Sequence, residues 1–124
     1  NKKYMFLDWR QDFGGIIKYG DIYYDLAKLY HGIIVDHGAI RKDMFNIKLS
    51  DSKKVVDYEI YRKQSSYKLE KILINFLKKN KFSVKKVKLL TSLIYLNIAT
   101  LHHQPYSTFL YFLGKDMLNK TLNE

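Results

Sequence analysis

The chain has 124 residues, a formal net charge of +10 and 47% hydrophobic residues. That is long enough for one domain with a core of its own, and the apolar and charged fractions are those of a globular protein. There is no cysteine, which excludes disulfides and thiolate metal sites and is compatible with a reducing compartment.

In chain order, Tyr4 to Asp8 is short, apolar and aromatic, and fits a buried strand better than a helix. Gly14-Gly15 breaks that run, Ile16 to Tyr19 reads as a second short strand, and Gly20 ends it. Asp21 is a short acid after a glycine and before a periodic apolar run, the signature of an N-cap. The spacing predicts a helix over about residues 22–36, with Ile22, Leu26, Leu29, Tyr30 and Ile33 on one face and Gly38 as its stop. Ala39 to Asn46 is ambiguous and compatible with a short helical turn. Ile47 to Leu49 and Val55 to Ile60 flank the polar cluster Ser50 to Lys54, which predicts a β-hairpin.

From about Ser65 to Asn80 the pattern is helical, with Leu69, Ile72, Leu73, Phe76 and Leu77 as one stripe. Ser83 caps a further helix to about His102, whose apolar positions are Val84, Val87, Leu90, Leu93, Ile94, Ile98 and Leu101; it reads as the most buried of the helices. Pro105 forces Gln104 out of helical geometry. A last helix follows from about Ser107 to Leu122, with Phe109, Leu110, Phe112, Leu113 and Leu118 inward; Gly114 inside it marks either a break or close packing. The sum is one domain over residues 1–124, mainly α (α+β), with an N-terminal strand pair and a hairpin.

No signal peptide is visible, and the longest apolar stretch, Leu89 to Leu101, is interrupted by polar residues and shorter than the roughly 20 residues a spanning helix needs. The chain therefore reads as soluble and cytoplasmic. It begins without methionine, directly on an apolar strand, as a piece of a longer polypeptide would. The basic excess suits either polyanionic partners or simply solvated lysine faces. Lys78, Lys79, Lys81, Lys85, Lys86 and Lys88 cluster at one helix junction with Phe82 as the only aromatic among them. A base-stacking surface needs several, so nucleic acid is not the expected partner.

Three acids carry the chemical interest. Asp8 closes the first strand and suits a hard cation such as magnesium, which in its phosphate-bound form needs only one or two carboxylates; loop amides would satisfy it equally. Asp21 caps the following helix, and Asp25 lies one turn further on. Beside Leu26 and Leu29, Asp25 must accept hydrogen bonds from another segment if that face is buried. The tripeptide Asp12-Phe13-Gly14 invites a kinase reading, but three residues match by chance and Asp12 serves equally as a loop acid. His31 and His37 are six apart, and His102 and His103 are adjacent; neither spacing fits a zinc site, and packing or capping is their expected role.

The stretch Leu7-Asp8-Trp9-Arg10, Phe13-Gly14, Tyr19-Gly20-Asp21 and Tyr24-Asp25-Leu26-Ala27-Lys28-Leu29 resembles the distal active-site segment of aminoglycoside phosphotransferase and choline kinase-like enzymes. The longer pattern through Tyr30-His31 is most similar to members linked to bacterial capsule or lipopolysaccharide synthesis. The resemblance implies the helical C-lobe of a kinase-like fold, with Asp8 as the magnesium ligand, Asp21 as the cap and Asp25 as a brace for the catalytic loop. It implies ATP, Mg2+ and a small-molecule phosphoryl acceptor in the intact enzyme. Ile22 stands where the family has proline, a substitution that a first helical position tolerates. The family's His-Gly-Asp catalytic loop and nucleotide-binding N-lobe have no counterpart in these 124 residues; His37-Gly38-Ala39 lacks the acid and lies downstream. No catalytic residue is thus expected in this segment, which by itself should not transfer a phosphoryl group or hold ATP or Mg2+ tightly. The rival expectation is a non-catalytic helical binding or structural module on the same scaffold.

Overall fold

The computed structural model describes residues 12–52 and 56–124, so Asp8 and the strand expected over Tyr4 to Asp8 lie outside the described residues. Within them the protein is mainly helical, with five helices and one short antiparallel hairpin. The elements are α1 (Ile22–Ile34), α2 (His37–Ile40), β1 (Phe45–Leu49), β2 (Val56–Ile60), α3 (Gln64–Lys79), α4 (Val84–Ala99) and α5 (Tyr106–Asn123).

Local chemistry sets the helix starts. The Asp21 carboxylate accepts the Tyr23 N–H at 2.9 Å, and the Ser83 hydroxyl accepts the Lys86 N–H at 3.1 Å, each satisfying a donor that the first turn leaves unpaired. Gly38 does not stop α1. The chain leaves helical geometry at Val35, and Asp36 caps the short α2 by accepting the Gly38 N–H at 2.6 Å. Lys63 lies 2.7 Å from Asp36 and, with that N–H, holds its carboxyl below the usual range.

The hairpin pairs Phe45 with Ile60, Ile47 with Tyr58 and Leu49 with Val56. Val55, expected in the second strand, is outside the described residues. Alternation puts Phe45, Ile47, Tyr58 and Ile60 on one face, against the cluster of Val35, Tyr95, Ala99, Phe109 and Leu110. The Phe45 and Phe109 rings lie 5.3 Å apart, and the Tyr58 hydroxyl bonds Asp116 of α5. The second strand expected over Ile16 to Tyr19 reduces to one bridge, Phe13 with Ile16, while Ile17 and Tyr19 are exposed.

The core centres on α4. Its buried residues are Val87, Thr91, Ser92, Ile94, Tyr95 and Ala99, flanked by α1 and α5. Leu93 and Leu101, expected inward, are exposed, and Thr91 and Ser92 take the buried face. Small residues allow close helix approach, and their hydroxyls are satisfied by backbone carbonyls: Thr91 donates to Val87 and Ala27, Ser92 to Leu89. Gly114 marks close packing, not a break. A Cβ there would stand 3.0 Å from the Ser92 carbonyl oxygen and 3.0 Å from the Tyr95 Cβ.

The amphipathic faces of α1 and α3 are rotated from the expected ones. Helix α1 buries Ala27, Tyr30 and His31, leaving Ile22 and Leu29 half-exposed. Helix α3 buries Ser66, Leu73 and Leu77, leaving Leu69, Ile72 and Phe76 outward. Glu70 joins the two helices by accepting from the Tyr30 hydroxyl and from Arg62, each at 2.8 Å.

Candidate functional site

The residues preceding α1 build a recess of about 390 Å³, lined by residues 12, 13, 16–21 and 25. Its rim is made by a two-residue turn. Phe13 and Ile16 exchange both backbone hydrogen bonds, and Gly14 and Gly15 between them have φ of +61° and +83°. Side chains are disfavoured in that backbone region, which explains the glycine pair. The Asp12 carboxylate accepts the Gly15 N–H at 3.1 Å and so holds the turn closed. The literal Asp12-Phe13-Gly14 is therefore a turn, with its acid engaged in keeping the turn's shape.

Asp21 and Asp25 enter the same recess from the start of α1. Asp21 caps the helix, and its other oxygen lies 3.8 Å from the Lys86 ammonium, which also sits 4.0 Å over the Tyr23 ring. That lysine comes from α4, so the cap, the ring and the cation tie the helix start to the scaffold. The Phe13 ring meets Tyr24 edge-on at 5.7 Å and seats the turn on the same helix. Asp25 is exposed, and its carboxylate has no hydrogen-bond partner among the described residues. The condition that would force it to find a partner within this chain, a buried Leu29 face, is not met, because Leu29 is 55% exposed.

The structure thus brings Asp12, Asp21 and Asp25 to one recess, while Asp8 lies outside the described residues. Among the described residues no group of three or more His, Asp or Glu side chains is placed to hold a metal ion. The donors present are carboxylate oxygens, the chemistry that a hard cation takes, but Asp21 is engaged as a cap and Asp12 in its turn.

Of the four histidines only His31 is buried; His37, His102 and His103 are exposed. The His31 ring lies 4.9 Å from that of Tyr95 and 6.3 Å from that of His37. Burial, with Lys28 and His37 adding positive charge nearby, lowers its pKa to about 4. His102 lies edge-on to Tyr106 at 4.9 Å. Sequence reasoning missed the part played by Lys86, which was one lysine of a junction cluster. Only the fold brings α4 to the start of α1.

No protein-family model matches the chain, and no curated protein or solved structure is significantly similar to it. No helix among the described residues is long and apolar enough to cross a membrane.

Proposed function

We propose that the chain is the C-terminal portion of an ATP- and magnesium-dependent small-molecule phosphotransferase, inactive by itself. The observation that carries this reading is the pairing of a capping Asp21 with an Asp25 side chain one turn later that has no hydrogen-bond partner among the described residues, both in a recess whose lining begins at Asp12, four positions after Asp8 in the sequence. Magnesium, when bound, neutralises charge on the phosphates of ATP. Asp8 holds that ion in this account. Asp21 fixes where α1 begins, and the Lys86 contact holds that point against α4. Asp25 presents two carboxylate oxygens to a catalytic loop supplied by an upstream part of the intact polypeptide and accepts its backbone N–H groups.

The acceptor is a small hydroxylated molecule, and the pattern around Asp21 and Asp25 favours a place in bacterial surface-glycan synthesis, in the cytoplasm where ATP is found. The test is phosphoryl transfer from labelled ATP to sugar, amino-sugar and choline acceptors by the intact polypeptide, with and without a magnesium chelator. Magnesium-dependent transfer by the intact polypeptide, and none by the 124-residue chain, is the expected result. An intact polypeptide whose upstream part has no His-Gly-Asp segment and that transfers nothing contradicts the reading and leaves the non-catalytic module.

A further inference from the structure

The core leaves apolar stripes unused on α1 and α3, two helices that pack against each other. On α1, Ile22 and Leu29 are 52% and 55% exposed, while Leu26 and Ile33 of the same stripe pack into the cluster that holds Leu73 and Leu77 of α3. On α3, Leu69, Ile72 and Phe76 are 51%, 63% and 47% exposed. Phe76 stacks on Phe82, whose ring meets Tyr23 of α1 edge-on, which ties the end of α3 to the start of α1. Ile22 and Leu29 on α1 and Leu69, Ile72 and Phe76 on α3 are thus two half-exposed apolar stripes on helices that pack together through Leu26, Ile33, Leu73 and Leu77, unlike the single exposed apolar residues that any surface carries.

The edges of the seam differ in charge. Lys68 and Lys79 flank the α3 stripe at one-turn spacing from Ile72 and Phe76, and neither pairs with an acid among the described residues. The α1 edge carries Asp25. A second copy of a chain with net charge +10 would bring like charges together over this patch.

We propose that the α1–α3 seam is a docking groove for an amphipathic α-helix of a partner protein, whose acidic edge lies along α3. The apolar stripe of such a helix fills the groove at i, i+3, i+4 and i+7, and its acids meet Lys68 and Lys79. This inference stands independently of the phosphotransferase reading, since the residues that test it, Lys68, Ile72 and Lys79, do not line the recess.

The test uses two synthetic helical peptides of about five turns with the same leucine stripe, one edged with glutamate and one with lysine, titrated against the chain by fluorescence anisotropy. The glutamate-edged peptide is expected to bind about tenfold more tightly or better, and Ile72→Asp to weaken it by a similar factor. Lys68→Glu with Lys79→Glu should remove the preference between the peptides. All three substitutions are at exposed positions, and unchanged far-UV circular dichroism confirms that the variants fold. Equal binding of the two peptides, no binding of either, or an Ile72→Asp variant that binds as well as the parent overturns the proposal. So does sedimentation showing a dimer that Ile72→Asp dissociates, which would assign the groove to a second copy.

Discussion

The Tyr95 hydroxyl donates to the His31 carbonyl oxygen at 2.9 Å, and the ring that carries it lies 4.9 Å from the His31 imidazole. One side chain of α4 thus fixes both the backbone and the ring of the last turn of α1. That carbonyl also accepts the Val35 N–H at 3.1 Å, so it keeps a partner if the hydroxyl is removed. Tyr95→Phe is expected to cost about 1 kcal/mol by urea unfolding, the net value of one hydrogen bond. Tyr95→Ala also leaves a cavity, and about 3–5 kcal/mol is expected.

His31 makes the fold acid-sensitive. Its pKa is lowered from 6.5 to about 4 on folding, first by burial and then by Lys28 and His37. Between these values the unfolded chain binds the proton and the folded chain does not, so stability falls as pH falls through that window. A loss of about 2 kcal/mol is expected between pH 7 and pH 5. Chemical unfolding at the two pH values should show it, and His31→Phe, which stays apolar beside Tyr95, should remove most of it. An unchanged pH dependence in that variant would place the sensitivity elsewhere.

Gly114 tests how closely α4 and α5 approach. Alanine is the better helix former by about 1 kcal/mol, which alone would stabilise α5. The added Cβ meets the Ser92 carbonyl oxygen and the Tyr95 Cβ at 3.0 Å, and neither belongs to the free end of a flexible side chain. Overpacking of this kind costs about 1–3 kcal/mol, so Gly114→Ala is expected to lower the thermal midpoint. A raised midpoint would mean that the helices separate readily.

Asp21 separates a structural from a chemical role. Asp21→Ala should destabilise the fold by about 1 kcal/mol through the lost cap, and Asp21→Asn, which keeps the accepting oxygen, by much less. The Lys86 contact contributes little to this, because both side chains are largely solvated. Thermal unfolding of the two variants side by side checks the ranking.

Much of the scaffold was legible because it rests on local chemistry. Asp21 and Ser83 announce helix starts by residue type, and the hairpin around Ser50 follows from alternation. The faces of α1 and α3 were legible only in part: Tyr30, Leu73 and Leu77 are buried as their spacing suggests, but the rest of each stripe is not. Ile22, Leu29, Leu69, Ile72 and Phe76 repeat at helical spacing, and spacing identifies an apolar face without saying which neighbour covers it. Thr91 and Ser92 misled in the opposite direction, since hydroxyls on a helix satisfy themselves on backbone carbonyls and are buried at modest cost. In the recess, Asp12 and Lys86 took roles that only tertiary placement sets, the first closing a glycine turn and the second reaching Asp21 from a distant helix.

The central claim is that Asp8, and not the acid of the literal Asp12-Phe13-Gly14, serves the phosphates. The most direct measurement is magnesium-dependent phosphoryl transfer by the intact polypeptide carrying Asp8→Asn or Asp12→Asn. The account predicts that Asp8→Asn abolishes transfer, while Asp12→Asn, whose side-chain oxygen still accepts the Gly15 N–H, retains most of it. Retained transfer in Asp8→Asn, or its loss in Asp12→Asn alone, would contradict the assignment.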